Sequence, residues 1–240
     1  MPSSSKGLKY IHRSAPHSTR RKASGGVILI SLATEPAIKR AIIFFDGQNL
    51  FHGAREAFGY SYPNFDPVQL AKVVCEEKGW QLSQVRFYTG VHTPEGNDYW
   101  HLFWAKKLAA MGRQGVKVFR RDLRYQNTTI QLPDGSQQTA AVPQEKGVDV
   151  RIALDVVSCV LDGSCDVAVI FSQDQDLSEV ADEVRKITRR EDCWIKIASA
   201  FPVGPTSRNR RGINGTDWIK IDRSTYDACI DPRDYRPHRS

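Results

Sequence analysis

The 240-residue chain has no long hydrophobic run. Its longest uninterrupted apolar stretches are about half a dozen residues, against the roughly 20 needed to cross a bilayer as a helix. That excludes helical membrane insertion. Cysteine is sparse and unpatterned. Cys75, Cys159, Cys165, Cys193 and Cys229 make an odd set with no CxxC spacing. A disulfide scaffold is excluded, and reduced thiols in a cytoplasmic protein are the simplest reading. The six histidines are scattered, with no pair at zinc-ligand spacing, so a zinc site is not expected. No internal repeat is visible. What remains is ordinary globular usage, 40% hydrophobic and 25% charged, in a length that suits one large domain.

Acids are also nearly missing from the first 40 positions. Eight Lys or Arg residues stand there against Glu35 alone, and the other 200 residues carry 26 of each sign. The net charge of +7 therefore belongs to an appendage. Residues 1–37 read as a basic flexible arm, with an apolar run at 27–33 that suggests an edge strand. The shortage of acids resembles a transit peptide, but a plain arm is the simpler reading. Residues 38–230 read as the folded domain and 231–240 as a tail.

Within the domain the chain alternates. Apolar runs at 41–45, 85–89, 116–119, 167–171 and 194–198 predict strands, and 218–221 suggests a sixth. Helical patterns fall at 50–58, 67–78, 97–113, 148–161 and 177–190. This order predicts an α/β fold, a three-layer α/β/α sandwich with a mostly parallel central sheet. Two stretches break the pattern. Residues 121–144 contain Pro133-Asp134-Gly135 between β-favouring segments and predict an inserted β-hairpin. Residues 204–215 form a Gly/Arg/Asn loop holding Arg208, Arg210 and Arg211.

Sites in open parallel sheets form at the carboxyl ends of strands, and two strands here run into acids. The first ends in Asp46-Gly47-Gln48-Asn49, the fourth in Ser172-Gln173-Asp174-Gln175-Asp176. If those strands are neighbours, Asp46 and Asp174 share a crevice. Asp149 adds a third acid. It lies on the apolar stripe of the 148–161 helix, in the first turn, where an unpaired inward carboxylate needs a cation, a donor or the mouth of a site. Clustered acids without basic partners suit hard oxygen-seeking cations, Mg²⁺ or Mn²⁺. Such a cluster suits phosphodiester hydrolysis.

Each residue also has a plainer reading. Asp46 is a turn residue, Asn49 a helix cap, and Asp176 with Glu179 has capping-box spacing. Glu145 reads as a surface charge, and Lys146 as a surface charge or a phosphate contact. Asp155 points away from Asp149 and reads as structural. Trp100, Phe103 and Trp104 read as core. His52 and His92 follow strand ends, but neither sits in a recognisable acid–base pair. An EF-hand is excluded because Glu179 and Arg185 stand where Gly and Glu are required.

Three motifs in this order, Phe45-Asp46-Gly47-Gln48-Asn49-Leu50, Glu145-Lys146-Gly147-Val148-Asp149-Val150 with Leu154-Asp155, and Ser172-Gln173-Asp174-Gln175-Asp176-Leu177, resemble the NYN domain family, LabA-like branch, of the PIN-like nucleases. The resemblance covers about residues 40–222. It implies a PIN-like fold and metal-dependent cleavage of RNA. By motif, Asp46, Asp149 and Asp174 would be the metal-binding acids, Asn49 a polar partner of the first, and Asp176 a further acid. Lys146, Arg208, Arg210 and Arg211 are the candidate RNA contacts. A non-catalytic RNA-binding or regulatory module on the same fold is the alternative. A haloacid-dehalogenase-type phosphatase is disfavoured, because Gln48 stands where that pattern has its second Asp. Homo-oligomerisation is left open.

Overall fold

A computed structural model describes residues 33–131 and 135–237. Most of the basic arm with its apolar run, the Pro133-Asp134 turn and the last three residues lie outside the described residues. In chain order the elements are β1 (Arg40–Asp46), α1 (Gly47–Phe58), α2 (Pro67–Lys78), β2 (Gln81–Val91), α3 (Pro94–Arg113), β3 (Lys117–Asp122), β4 (Arg124–Gln131), β5 (Gln137–Gln144), α4 (Val148–Leu161), β6 (Val167–Phe171), α5 (Ser178–Glu191), β7 (Lys196–Pro202), β8 (Asp217–Ile221) and α6 (Arg223–Asp227). A single 3₁₀ turn (Gln175–Leu177) precedes α5.

A strand with no polar face must be covered on both sides. β1 is such a strand, and its residues alternate between two cores. Ala41, Ile43 and Phe45 pack with α1, α2, α3 and α6. Ile42 and Phe44 pack with α4 and α5. The sheet order is β3-β2-β1-β6-β7-β8, with every pairing parallel. The three-layer α/β/α expectation is met, and the suggested sixth strand is β8. β4 and β5 form a separate antiparallel hairpin outside that sheet.

The strand order fixes where a site can form. The chain runs outward from β1 through β2 to β3, then returns to lay β6 against the other side of β1. The order therefore reverses between β1 and β6, the switch point at which open α/β sheets leave a crevice. Phe45 pairs with Phe171 in register, so the next residues, Asp46 and Ser172, emerge side by side.

Four of the helices, α1, α2, α3 and α6, start from side-chain caps. Asp66 caps α2 ahead of Pro67, the pairing favoured at a first turn. α3 begins at Pro94, three residues before the expected start, but Asn97 has extended backbone angles. Its side chain accepts from the Trp100 amide at 3.2 Å, so the regular helix restarts there. Beyond α6, residues 228–237 fold back along the first core. The Asp66 amide donates to the Cys229 carbonyl and the Asp231 amide to that of Asn64, and Asp231 and Tyr235 are buried.

Candidate active site

Asp46 is the last residue of β1 and the cap of α1. Its Oδ1 accepts from the Asn49 amide at 3.0 Å and its Oδ2 from the Ser172 hydroxyl at 3.1 Å. The residue is only 6% exposed. Gly47 behind it has no room for a side chain, since a Cβ there would lie 2.6 Å from the Phe87 ring. The turn after β6 is bonded to the same place. Ser172 Oγ also accepts from the Asp174 amide at 3.1 Å, and Asn49 Oδ1 accepts from the Gln173 amide at 2.9 Å. Two side chains thus lock the β1–α1 turn to the β6–α5 turn.

Four acids then share one cavity of about 360 Å³, lined by Asp46, Glu145, Asp149 and Asp174 with Lys146. Asp174 comes from the β6–α5 turn, where its Oδ1 caps the 3₁₀ turn through the Asp176 amide at 3.0 Å. Asp149 comes from the first turn of α4. It is half-buried while its neighbours Val150 and Arg151 are exposed. The helix can begin there because Gly147 caps it at φ 76°, a left-handed conformation that favours glycine.

Glu145 is the residue that sequence reasoning misread. It is half-buried rather than a surface charge. Its Oε2 accepts a short hydrogen bond from the Gly90 amide at the end of β2. The local signal was its place directly after a strand and two residues before the helix-starting Gly147.

The electrostatics follow from the crowding. Burial pushes the Asp46 carboxyl up to about 6. The bonds from Asn49 and Ser172 oppose the rise, and the charges of Asp174 and Asp149 add to it. Burial, then the charge of Asp46, pushes Glu145 up to about 7, with the Gly90 amide opposing and Asp149 adding. Both acids are held in an environment that disfavours their ionised forms.

The remaining expected residues divide. Lys146 is exposed and lines the cavity, and its carbonyl accepts from Arg121 at 3.5 Å. Asp176 is exposed and does not line the cavity. Asp155 is fully engaged, by Tyr88 at 2.7 Å and by Arg151 at 2.9 Å. The 204–215 loop is bonded to the acid-bearing turn. Gln173 Nε2 donates to the Arg211 carbonyl at 2.9 Å and Gln175 Nε2 to that of Gly212 at 3.1 Å. Arg208 is exposed. Arg211 stands 6.0 Å from the Trp218 ring centre. The Arg210 guanidinium is spent on its own loop, donating to the carbonyls of Ser207, Gly204 and Pro205.

The NYN domain profile matches residues 40–200, the span that contains all four acids. The chain belongs to the NYN domain family. No curated protein matches the sequence. Among solved structures, the chain is similar to a Vibrio parahaemolyticus protein of unknown function, at 20% identity and a TM-score of 0.48, over 78% of this chain and 94% of that one. It is also similar to Acinetobacter baumannii MurG, at 11% identity and a TM-score of 0.29, over 76% of this chain and 45% of that one.

The NYN domain is a PIN-like, nuclease-type fold, and the donor set here can be tested against a divalent ion. Among the described residues, no group of three or more His, Cys, Asp or Glu side chains stands close enough to hold an ion directly. The four carboxylates instead surround a cavity wide enough for an ion with waters. Mg²⁺ is commonly held in that way, through one or two carboxylates and several waters. The all-oxygen donor set and the raised Asp46 and Glu145 fit a hard cation, which would relieve the crowding of negative charge. No described helix is long and apolar enough to cross a membrane.

Proposed function

We propose that this NYN domain is a ribonuclease that uses Mg²⁺ or Mn²⁺ to hydrolyse RNA phosphodiester bonds. The observation that carries the reading is the convergence of Asp46, Glu145, Asp149 and Asp174 on one cavity at the sheet's switch point. Asp46, Asp149 and Asp174 would hold the ion, at most one or two of them directly and the rest through its waters. A divalent ion in such a site supplies charge to the phosphate and acidity to a water. The chain's own groups do the rest. Ser172 and Asn49 fix the two turns so that Asp46 and Asp174 stay facing one cavity. Glu145, anchored to the Gly90 amide through Oε2, keeps Oε1 for a water. Lys146, Arg208 and Arg211 take the RNA backbone, the part of a nucleic acid that fixes position rather than sequence. Asp176 is left out of the ion's ligands. Free thiols at all five cysteines support a cytoplasmic setting.

The test is incubation of the purified protein with a mixed RNA pool in Mg²⁺, Mn²⁺ and EDTA, with the cut ends sequenced. Cleavage that needs the metal and is lost in Asp46→Asn is the expected result. RNA bound but left whole in both metals would replace the ribonuclease with the non-catalytic RNA-binding module.

A further inference from the structure

Beside the acid cavity lies a second one of about 400 Å³, and Glu145 belongs to the walls of both. Its other walls are of a different kind. Phe51 on α1 and Trp100 on α3 bring half-buried aromatic surface. His52 and His92 bring imidazoles. His92 Nδ1 is tied to the Tyr125 hydroxyl at 2.7 Å, which leaves Nε2 for another partner. Burial holds both imidazoles below their ordinary range, with the Arg55 charge adding to the effect at His52. Near neutral pH both rings are therefore uncharged. His52 carries one donor and one acceptor, and His92 has Nε2 left, as donor or acceptor according to its tautomer. Arg55 adds an exposed cation one helical turn from Phe51.

We propose that this second cavity seats one unpaired nucleobase of the RNA strand whose phosphate lies in the acid cavity. The inference rests on the ribonuclease reading and deepens it, since it makes single-stranded RNA the substrate. Three features select a base. Aromatic faces stack any base, because every base has a π-face. Neutral imidazoles can bond a base edge in either sense, which an apolar side chain would not use. The shared Glu145 wall places the occupant of one cavity a side chain's width from the other, the relation of a base to its own backbone. The volume is within the range of small-ligand sites, about 300–1,000 Å³. A paired base inside a duplex would first have to leave its stack to reach it.

The experiment measures binding by the full chain in Ca²⁺, a hard cation that offsets the charge of the acids, with gel electrophoresis to confirm that the probes stay whole. The probes are end-labelled six-nucleotide single-stranded RNAs of mixed sequence, intact or abasic at each position in turn. Stacking on one aromatic platform is worth ~1–3 kcal/mol per base, so one abasic position should weaken wild-type binding about tenfold. Phe51→Ala should weaken the intact strand by a similar factor and lose its sensitivity to that position. Trp100 packs edge-on against Phe103, so Trp100→Leu serves as the second variant, with circular dichroism to confirm its fold. Equal binding of every abasic strand would overturn the proposal. So would full abasic sensitivity persisting in folded Phe51→Ala and Trp100→Leu, duplex RNA competing as well as single strands, or no binding of RNA at all. Cleavage of the intact strand in Mg²⁺ is read separately. A flat abasic scan with cleavage removes the base pocket and keeps the ribonuclease. A position-specific loss without cleavage keeps the pocket and removes the ribonuclease.

Discussion

Two clusters of buried and half-buried charge in the described residues are built in opposite ways. The acid cavity gathers four carboxylates, and Lys146 is the only cation among the described residues lining it. The other cluster centres on Lys107 of α3, which is 1% exposed. Its ammonium donates to the Phe65 carbonyl at 2.8 Å, lies 3.8 Å from Asp231, and sits over the Phe65 and Tyr235 rings. Burial lowers Lys107 to about 8, against the pull of Asp231 and Asp66. At Asp231 burial acts first to raise the carboxyl. The bonds from Arg233 and Tyr235 and the charge of Lys107 more than offset it, so the net shift is downward. Opposite charges in the second cluster satisfy each other and tie the chain's last described residues to α3. Like charges in the first do not, and their remaining requirement is for something from outside. Burial alone therefore does not mark a working site; burial without internal compensation does.

The largest effect expected from that contrast is on cleavage. Asp46→Asn or Asp174→Asn keeps the side chain's size and its capping oxygen but removes charge. RNA cleavage in Mg²⁺ should fall by orders of magnitude, while metal-free stability holds or rises because the remaining acids repel less. RNA binding should persist, since phosphates are met mainly by basic groups and amides. Full activity in either variant would refute the role given to these acids. The compensated cluster should answer in reverse. Lys107→Met leaves Asp231 buried beside fewer partners and should cost about 3 kcal/mol in urea unfolding, the low end of the range for a broken buried pair, because Arg233 and Tyr235 remain. Cleavage per folded molecule should not change. A Lys107→Met protein of wild-type stability would end the comparison.

The pH response sharpens it further. In EDTA, Asp46 at about 6 and Glu145 at about 7 both lie above the ~4 of an unfolded chain. Between those values the folded state binds more protons than the unfolded one. Stability is therefore lost as pH rises through roughly 4 to 7 and recovered on acidification. His52 and His92, held low, pull the other way below about pH 6.5, so wild type alone is a poor readout. The gap between Asp46→Asn and wild type isolates Asp46 together with its charge coupling to Glu145. Asp46→Asn should be the more stable at pH 7, and the two melting temperatures should converge toward pH 4.5. A gap that does not change with pH would show that the carboxylate is not under the strain described.

Much of this was legible in the sequence because it is local. Apolar runs name their own strands, and an acid at a strand's end declares itself once the sheet is known to be parallel. Asp149 was readable from helical periodicity alone. Glu145 was not, because its burial depends on an amide 55 residues earlier in the chain, at Gly90. The hairpin between them must fold back before the two can meet. The Arg208–Arg211 loop hid a similar division. Spacing shows three cations on one loop, but which guanidinium is free depends on carbonyls that only the folded loop brings together.

That division gives the smallest expected effect and the finest test. Arg210 donates to three carbonyls of its own loop, whereas the Arg208 and Arg211 guanidinium groups make no such bonds to that loop's described carbonyls. Arg208→Gln and Arg211→Gln should each raise the KM for RNA and reduce the salt dependence of binding by about one phosphate contact, with stability nearly unchanged. Arg210→Gln should instead lower stability by ~1 kcal/mol, the scale of a lost hydrogen-bond set at an exposed site. Its effect on KM should come only through loosening of the loop, and should therefore grow as temperature approaches the melting range. Three equal rises in KM with no change in stability would mean that all three cations face the RNA and that the loop does not need Arg210 to hold its shape.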